Sequence, residues 1–118
     1  MTEIEAIELS RAYVSLSNAH RVELILPMFS ATAVYSSSAV GEFTGPDEIE
    51  KMMRGFFTSY PDVFWLAENY RCENNRVTFD FSLQANSATT GEHLQRQGIE
   101  RIEFDKNGLI KKLEVKAS

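Results

Sequence analysis

The sequence predicts an α+β domain in which helices come first and a curved, mixed or antiparallel sheet follows. Three observations predict it. Apolar residues recur at helical spacing over the N-terminal part of the chain. After Val63 the period shortens from about 3.6 residues to about 2. Turn signals at Asn74-Asn75, at Ala88 to Glu92 and at Asp105-Lys106-Asn107-Gly108 then cut the remainder into four strands.

Taken in order, Ala6, Leu9, Tyr13 and Leu16 form one stripe and predict a helix from about Thr2 to about Ser17. Thr2 followed by Glu5 matches a capping box, in which each side chain satisfies a backbone N–H at the helix start. Asn18 is expected to cap a second, shorter helix carrying Val22, Leu24, Ile25 and Met28, which Pro27 must kink or stop. Ala33-Val34-Tyr35-Ser36 reads as a short strand, and Glu42-Phe43-Thr44 as another between glycines. Pro46 suits a first helical position, and Asp47, Glu48 and Glu50 oppose the positive end of the helix dipole. A third helix therefore covers about Pro46 to Ser59, with Ile49, Met52, Met53, Phe56 and Phe57 on one face. Of the strands, the one holding Val77, Phe79, Phe81, Leu83 and Ala85 alternates most clearly with polar partners, so helices must cover its apolar side.

Composition narrows the function. The chain has 118 residues, 43% of them hydrophobic and 11% aromatic, sufficient for one domain over residues 1–118 with a real core. Twelve basic against 17 acidic residues give a net charge of −5, which does not supply a phosphate-neutralising or anionic-membrane surface. No apolar run matches a bilayer span, and the N-terminus is acidic where a secretory signal would be basic, so the chain reads as soluble and cytoplasmic. A single cysteine, Cys72, and two histidines exclude an internal disulfide and a cysteine-histidine metal cluster. No phosphate loop or covalent-cofactor motif is present, which predicts a cofactor-free, metal-free protein.

This order of elements, joined to particular residues, resembles the nuclear transport factor 2-like (NTF2-like) superfamily and within it the SnoaL-like and ketosteroid-isomerase-like group. The matching stretches are Tyr13-Val14 to Asn18, Met28-Phe29 with Ala33-Val34-Tyr35, Phe43-Thr44-Gly45-Pro46, Phe56-Phe57 with Tyr60-Pro61-Asp62, and Ile102 to Ile110. The resemblance implies a cone-shaped roll around a pocket, commonly a homodimer through the outer face of the sheet. Members include isomerases, cyclases, epoxide hydrolases, dehydratases and non-enzymatic binding domains, so the fold does not select a reaction.

An isomerase of this kind needs a carboxylate base and hydrogen-bond donors for the enolate oxygen. The resemblance puts Tyr13 at the phenol-donor position and Glu100 at the second donor, a buried carboxylic acid. Parity supports the latter, since Glu100 shares a strand face with Ile102 and Phe104 unless Gly98 makes a bulge. The base position falls on Ser37, and a serine hydroxyl is no substitute for a carboxylate unless activated. Asp80 has outward parity, and His93 with Ser37 would lack a third, orienting group. Phe29, Tyr35, Met52, Phe56, Phe79, Phe81 and Ile102 are the candidate apolar lining.

Plainer roles compete at each position. Tyr13 on an apolar stripe suits a core tyrosine, and Glu100 suits a partner for Arg96. His20 suits a helix boundary, His93 a solvated loop, and Cys72, Trp65, Met28, Met52 and Met53 suit packing. Three functions follow: an enzyme acting on a small apolar carbonyl compound, a non-catalytic binder of such a compound, or a dimeric interaction module whose pocket is degenerate.

Overall fold

The computed structural model describes Met1–Ser118. Its elements are α1 (Glu3–Asn18), α2 (Val22–Ile25), a 3-10 turn (Leu26–Met28), β1 (Phe29–Ser37), β2 (Gly41–Thr44), α3 (Gly45–Ser59), β3 (Phe64–Glu73), β4 (Arg76–Asn86), β5 (His93–Phe104) and β6 (Ile110–Ala117). The six strands form one sheet in the order β2-β1-β6-β5-β4-β3. All neighbours run antiparallel except β1 and β6, which are parallel because α3 and the later strands intervene. The predicted α+β class holds, and the sheet is mixed.

The capping box at the start of α1 forms as predicted, with Glu5 N–H donating to Thr2 Oγ1 at 3.1 Å and Thr2 N–H to Glu5 Oε1 at 3.0 Å. The buried face of α1 is rotated from the predicted stripe: Ala6, Ser10, Tyr13 and Ser17 are buried, while Leu9 and Leu16 are only partly covered. The two serines tolerate burial because each hydroxyl donates to the carbonyl four residues earlier, Ser10 to Ala6 at 2.9 Å and Ser17 to Tyr13 at 2.8 Å. That lets the helix sit close to the sheet without a polar orphan.

Asn18 does not cap α2. It ends α1, and Arg21 precedes α2 without any side-chain cap. The Asn18 amide is instead clamped to β3: its Nδ2–H donates to Trp65 O at 3.0 Å, and its Oδ1 accepts from Trp65 N–H at 2.8 Å. Those backbone groups lie at the edge of the sheet, where no further strand satisfies them. Pro27 ends α2 early and the chain continues as a 3-10 turn containing Met28. β1 starts four residues before the predicted Ala33, because pairing with β6 recruits the segment from Phe29 despite its weak alternation.

Val77, Phe79, Phe81, Leu83 and Ala85 of β4 are all buried, with Ile102 and Phe104 of β5 and Leu113 of β6 beside them. Register shifts between Phe29 and Val34, between Glu68 and Arg71, and between Glu103 and Phe104 bend the sheet around the helices. Gly98 is not a bulge against β4, where pairing is continuous from Arg76 to Asn86. It serves the other neighbour: a Cβ at Gly98 would stand 2.0 Å from the Lys116 carbonyl oxygen.

Two stability predictions follow from this packing. Gly98→Ala must push β6 away and should cost about 1–3 kcal/mol in urea unfolding. Asn18→Ala strands both Trp65 backbone groups and should cost about 1–3 kcal/mol, against a near-neutral Lys51→Ala control on the exposed side of α3.

Candidate functional site

The cone encloses a hollow between α1, α3 and the concave side of the sheet. Tyr13, Val14 and Ser17 approach from α1, Met52, Met53, Phe56 and Phe57 from α3, and Tyr35, Trp65, Leu83, Glu100 and Val115 from the strands. Val40, in the β1–β2 turn, covers its rim. The space open to the centres of water-sized molecules is about 50 Å³. That is room for one or two waters with the side chains as placed, so a ring-sized ligand needs lining side chains to move aside.

Aromatic residues stiffen one wall. Phe56 lies against Tyr60 and Trp65 at ring separations of 5.2 and 6.0 Å, and Phe57 meets Trp65 edge-on at 6.2 Å. The regular spacing of α3 places Met52, Met53, Phe56 and Phe57 there. The Asn18 clamp fixes the Trp65 backbone.

Three ionisable groups face this apolar lining. Glu100 lies opposite Phe79 on β4 and Val115 on β6, and is 4% exposed. Its Oε2 has no hydrogen-bond partner. Burial alone pushes its carboxyl up to about 8 from the ordinary 4.5, so it is mostly protonated at neutral pH. The Tyr13 hydroxyl is pushed well above the ordinary tyrosine value, first by burial and then by the nearness of Tyr35 and Glu100. Tyr35 is likewise raised far above its ordinary value, by burial first and then by Glu100. Ser17 and Tyr35 lie near the Tyr13 hydroxyl. The hollow thus holds two neutral phenols beside one carboxyl of raised affinity for protons.

Of the residues singled out from sequence, Tyr13, Tyr35, Met52, Phe56 and Glu100 meet in this hollow. Ser37 does not line it. Its Oγ accepts from Ala39 N–H at 3.2 Å and Val40 N–H at 3.3 Å, which organises the β1–β2 turn. Phe29, Phe79, Phe81 and Ile102 are buried in the core beneath the hollow rather than in its lining. Phe29 supports Tyr13 edge-on at 6.1 Å, and Phe79 stacks on Tyr70 at 4.8 Å.

The Arg96–Glu100 pair does not form: four residues along a strand separate them by roughly 13 Å, and no ion pair joins them. Asp80 has the predicted outward parity and is held by Arg71 at 3.2 Å and Asn69 at 2.8 Å. These bonds lower its pKa. His93 lies at the exposed start of β5 with Asn86 at 3.2 Å, and His20 stacks on Phe57 at 4.1 Å beyond the end of α1. Neither shares a site with Ser37. Ser17, Trp65, Met53 and Phe57 are lining residues that sequence reasoning assigned to packing or passed over. The helical face of Phe57 was visible in the sequence, whereas the inward turn of Ser17 depends on its hydroxyl finding the Tyr13 carbonyl.

No three His, Cys, Asp or Glu side chains gather closely enough to hold a metal ion. No helix is long and apolar enough to cross a membrane.

Helices packed on a six-stranded mixed sheet around a hollow place the chain in the class of pocketed α+β domains. Within that class the chain belongs to the SnoaL-like domain family, whose model matches residues 10–113. Among solved structures it is similar to an NTF2-like protein of unknown function from Exiguobacterium sp. 255-15, with TM-score 0.79, 18% identity, and coverage of 90% of this chain and 94% of that one. AclR, a suggested hydroxylase from Streptomyces galilaeus, superposes with TM-score 0.82 at 19% identity over 96% of this chain and 88% of that one. A suggested isomerase from Bacillus subtilis superposes with TM-score 0.84 at 16% identity, over 100% of this chain and 90% of that one. At these identities the likeness is one of fold. No curated protein matches the chain in sequence.

The raised pKa of Glu100 fixes the sign of a pH effect. The folded state holds a proton there that the unfolded chain loses above about 4.5. The stabilising contribution is therefore fully present below that value, falls as pH rises, and is gone above about 8. Denaturant unfolding should show wild-type stability declining across this window by on the order of a few kcal/mol. Glu100→Gln, which cannot ionise, should flatten that decline. An unchanged slope in the variant would place the titration elsewhere.

Proposed function

We propose that the protein binds a small, largely apolar carbonyl compound in the hollow, with Tyr13 and Glu100 as its polar anchors, and that it acts on that compound without a cofactor. One observation carries this reading: a carboxyl oxygen with no partner, buried in an otherwise apolar lining. Such an orphan is costly unless something else satisfies it. A protonated carboxyl and a phenol are both donors, and a carbonyl oxygen is the acceptor they lack. Names of structural neighbours that mention an isomerase and a hydroxylase are compatible with small-molecule chemistry in such a cone. Ser37, held in its turn, is set aside as a catalytic residue.

A second reading has its own support. The narrowness of the hollow, about 50 Å³, favours a non-catalytic binder or an interaction module with a degenerate pocket. Cyclohexanone and cyclohex-2-enone separate the readings. The carbonyl-binding reading expects a thermal stabilisation that saturates with ketone concentration. Tyr13→Phe should weaken it roughly fivefold, the equivalent of one hydrogen bond. Absence of any shift or chemical-shift perturbation with both ketones would favour the interaction module.

We also propose a homodimer through the outer face of the sheet, in a cytoplasmic protein. Phe64 and Leu66 support it, being 53% and 63% exposed on the face opposite Trp65 and beside the polar Ser82 and Gln84. Exposed apolar residues inside a polar surround are the usual composition of a wet interface. Sedimentation at micromolar concentration should give a dimer that Leu66→Glu dissociates, and a wild-type monomer would remove the proposal.

A further inference from the structure

We propose that the outer face of the sheet carries a second site, a groove in which the guanidinium groups of Arg71, Arg76 and Arg101 bind a phosphate group above the Thr78 hydroxyl. This site lies across the sheet from the hollow and stands or falls independently of what the hollow binds.

Strand register builds the groove. Arg71 on β3 stands opposite Thr78 on β4, and Thr78 stands opposite Arg101 on β5. Two arginines therefore flank the hydroxyl on one face, their Cα atoms roughly 10 Å apart, a span that two such side chains close over one ligand. Arg76 precedes Thr78 by two residues and shares its face of β4. Arg101 directly follows Glu100, so the alternation that turns Glu100 into the hollow turns Arg101 away from it. Asn74 of the β3–β4 turn and Ile99 of β5 also line the groove. The space open to the centres of water-sized molecules is about 470 Å³, against about 50 Å³ in the hollow.

Charge and unused donors select the ligand. Three guanidinium groups and one carboxylate, that of Glu73, line the groove in a chain whose net charge is −5. The acids around it leave the arginines largely open. Asp80 takes one nitrogen of Arg71 at 3.2 Å and Glu103 one nitrogen of Arg76 at 3.2 Å, neither as a two-pronged pair. Glu114 stands opposite Arg101 on β6 but forms no ion pair with it. Arg101 is partly buried, and its one hydrogen bond is a long one, from Nε to Thr78 Oγ1 at 3.4 Å. Its remaining N–H donors have no protein acceptor.

The donor set distinguishes phosphate from carboxylate. A carboxylate has two oxygens in one plane, and a single guanidinium fork satisfies it. A phosphate presents oxygens tetrahedrally and matches forks that converge from several directions. Ile99 offers an apolar surface for an organic remainder attached to that phosphate. The exposed patch of Phe64 and Leu66 is elsewhere on this face: Leu66 pairs with Ser82, which is roughly 13 Å along β4 from Thr78.

Inorganic phosphate and phenyl phosphate test the site, with arginine Nε–H signals followed by nuclear magnetic resonance at fixed ionic strength. The expected result is a saturable shift of Arg71, Arg76 and Arg101, with affinity falling as KCl is raised. Tighter binding of phenyl phosphate makes the source an ester, and equal binding makes it the free ion; both uphold the site. Arg101→Gln should weaken binding roughly tenfold, the worth of a hydrogen bond to a charged group. Arg101→Lys, which keeps the charge without the fork, should recover part of that loss. Glu103→Gln releases Arg76 and should tighten binding severalfold, a gain that a folding defect does not mimic. Shifts that do not saturate, acetate competing as well as phosphate, or affinity unchanged in Arg101→Gln overturns the site. So does an Arg101 shift that follows protein concentration instead of phosphate, which gives its fork to a carboxylate of a second copy.

Discussion

Burial of one carboxyl among apolar side chains is the constraint around which the rest of the structure is arranged. Glu100 sits in the middle of the longest strand, between Phe79 and Val115, where it is almost wholly buried and no basic side chain compensates it. A protein that needed only stability would place an aliphatic residue there, since a neutral carboxyl with an orphan oxygen is inferior to a methyl group in a core. That the fold tolerates the carboxyl, and collects two phenols beside it, distinguishes this end of the cone from the purely hydrophobic layer beneath it.

The supporting architecture follows from satisfying polar groups close to that hollow. Small residues on α1 let the helix approach the sheet, and their hydroxyls are consumed by the helix's own carbonyls. The Asn18 amide closes the junction between α1 and the edge strand and so fixes the Trp65 wall. Gly98, two residues before Glu100, allows β6 to come against β5 where a side chain would collide with the Lys116 carbonyl. Each device is local, yet together they set the width of the space above Glu100. A narrow space favours strong electrostatics, because a donor or a charge in a dry lining is poorly screened.

Membership of the SnoaL-like family accounts for the architecture and leaves the chemistry to the particular residues present. The base position that the resemblance implies falls on Ser37. Ser37 is a turn residue whose oxygen is occupied by backbone donors. The lining then contains a single carboxyl and two phenols. Those three are the titratable side chains of the lining.

The order of elements, the capping box, the third helix and the inward parity of Glu100 were legible in the amino-acid sequence, because they depend on neighbours a few positions away. Periodicity likewise exposed the buried side of β4, whereas the roles given to Tyr13 and Glu100 came from the family resemblance. The parallel pairing of β1 with β6, the clamp of Asn18 on Trp65 and the rotation of α1 toward its serines were not legible, since each joins residues distant along the chain or depends on where a hydroxyl finds its acceptor. For the same reason Phe29, Phe79, Phe81 and Ile102 could be recognised as inward-facing but not separated into core and lining. Alternation says which face a side chain takes, and only the packed helices decide how deep beneath the hollow it lies.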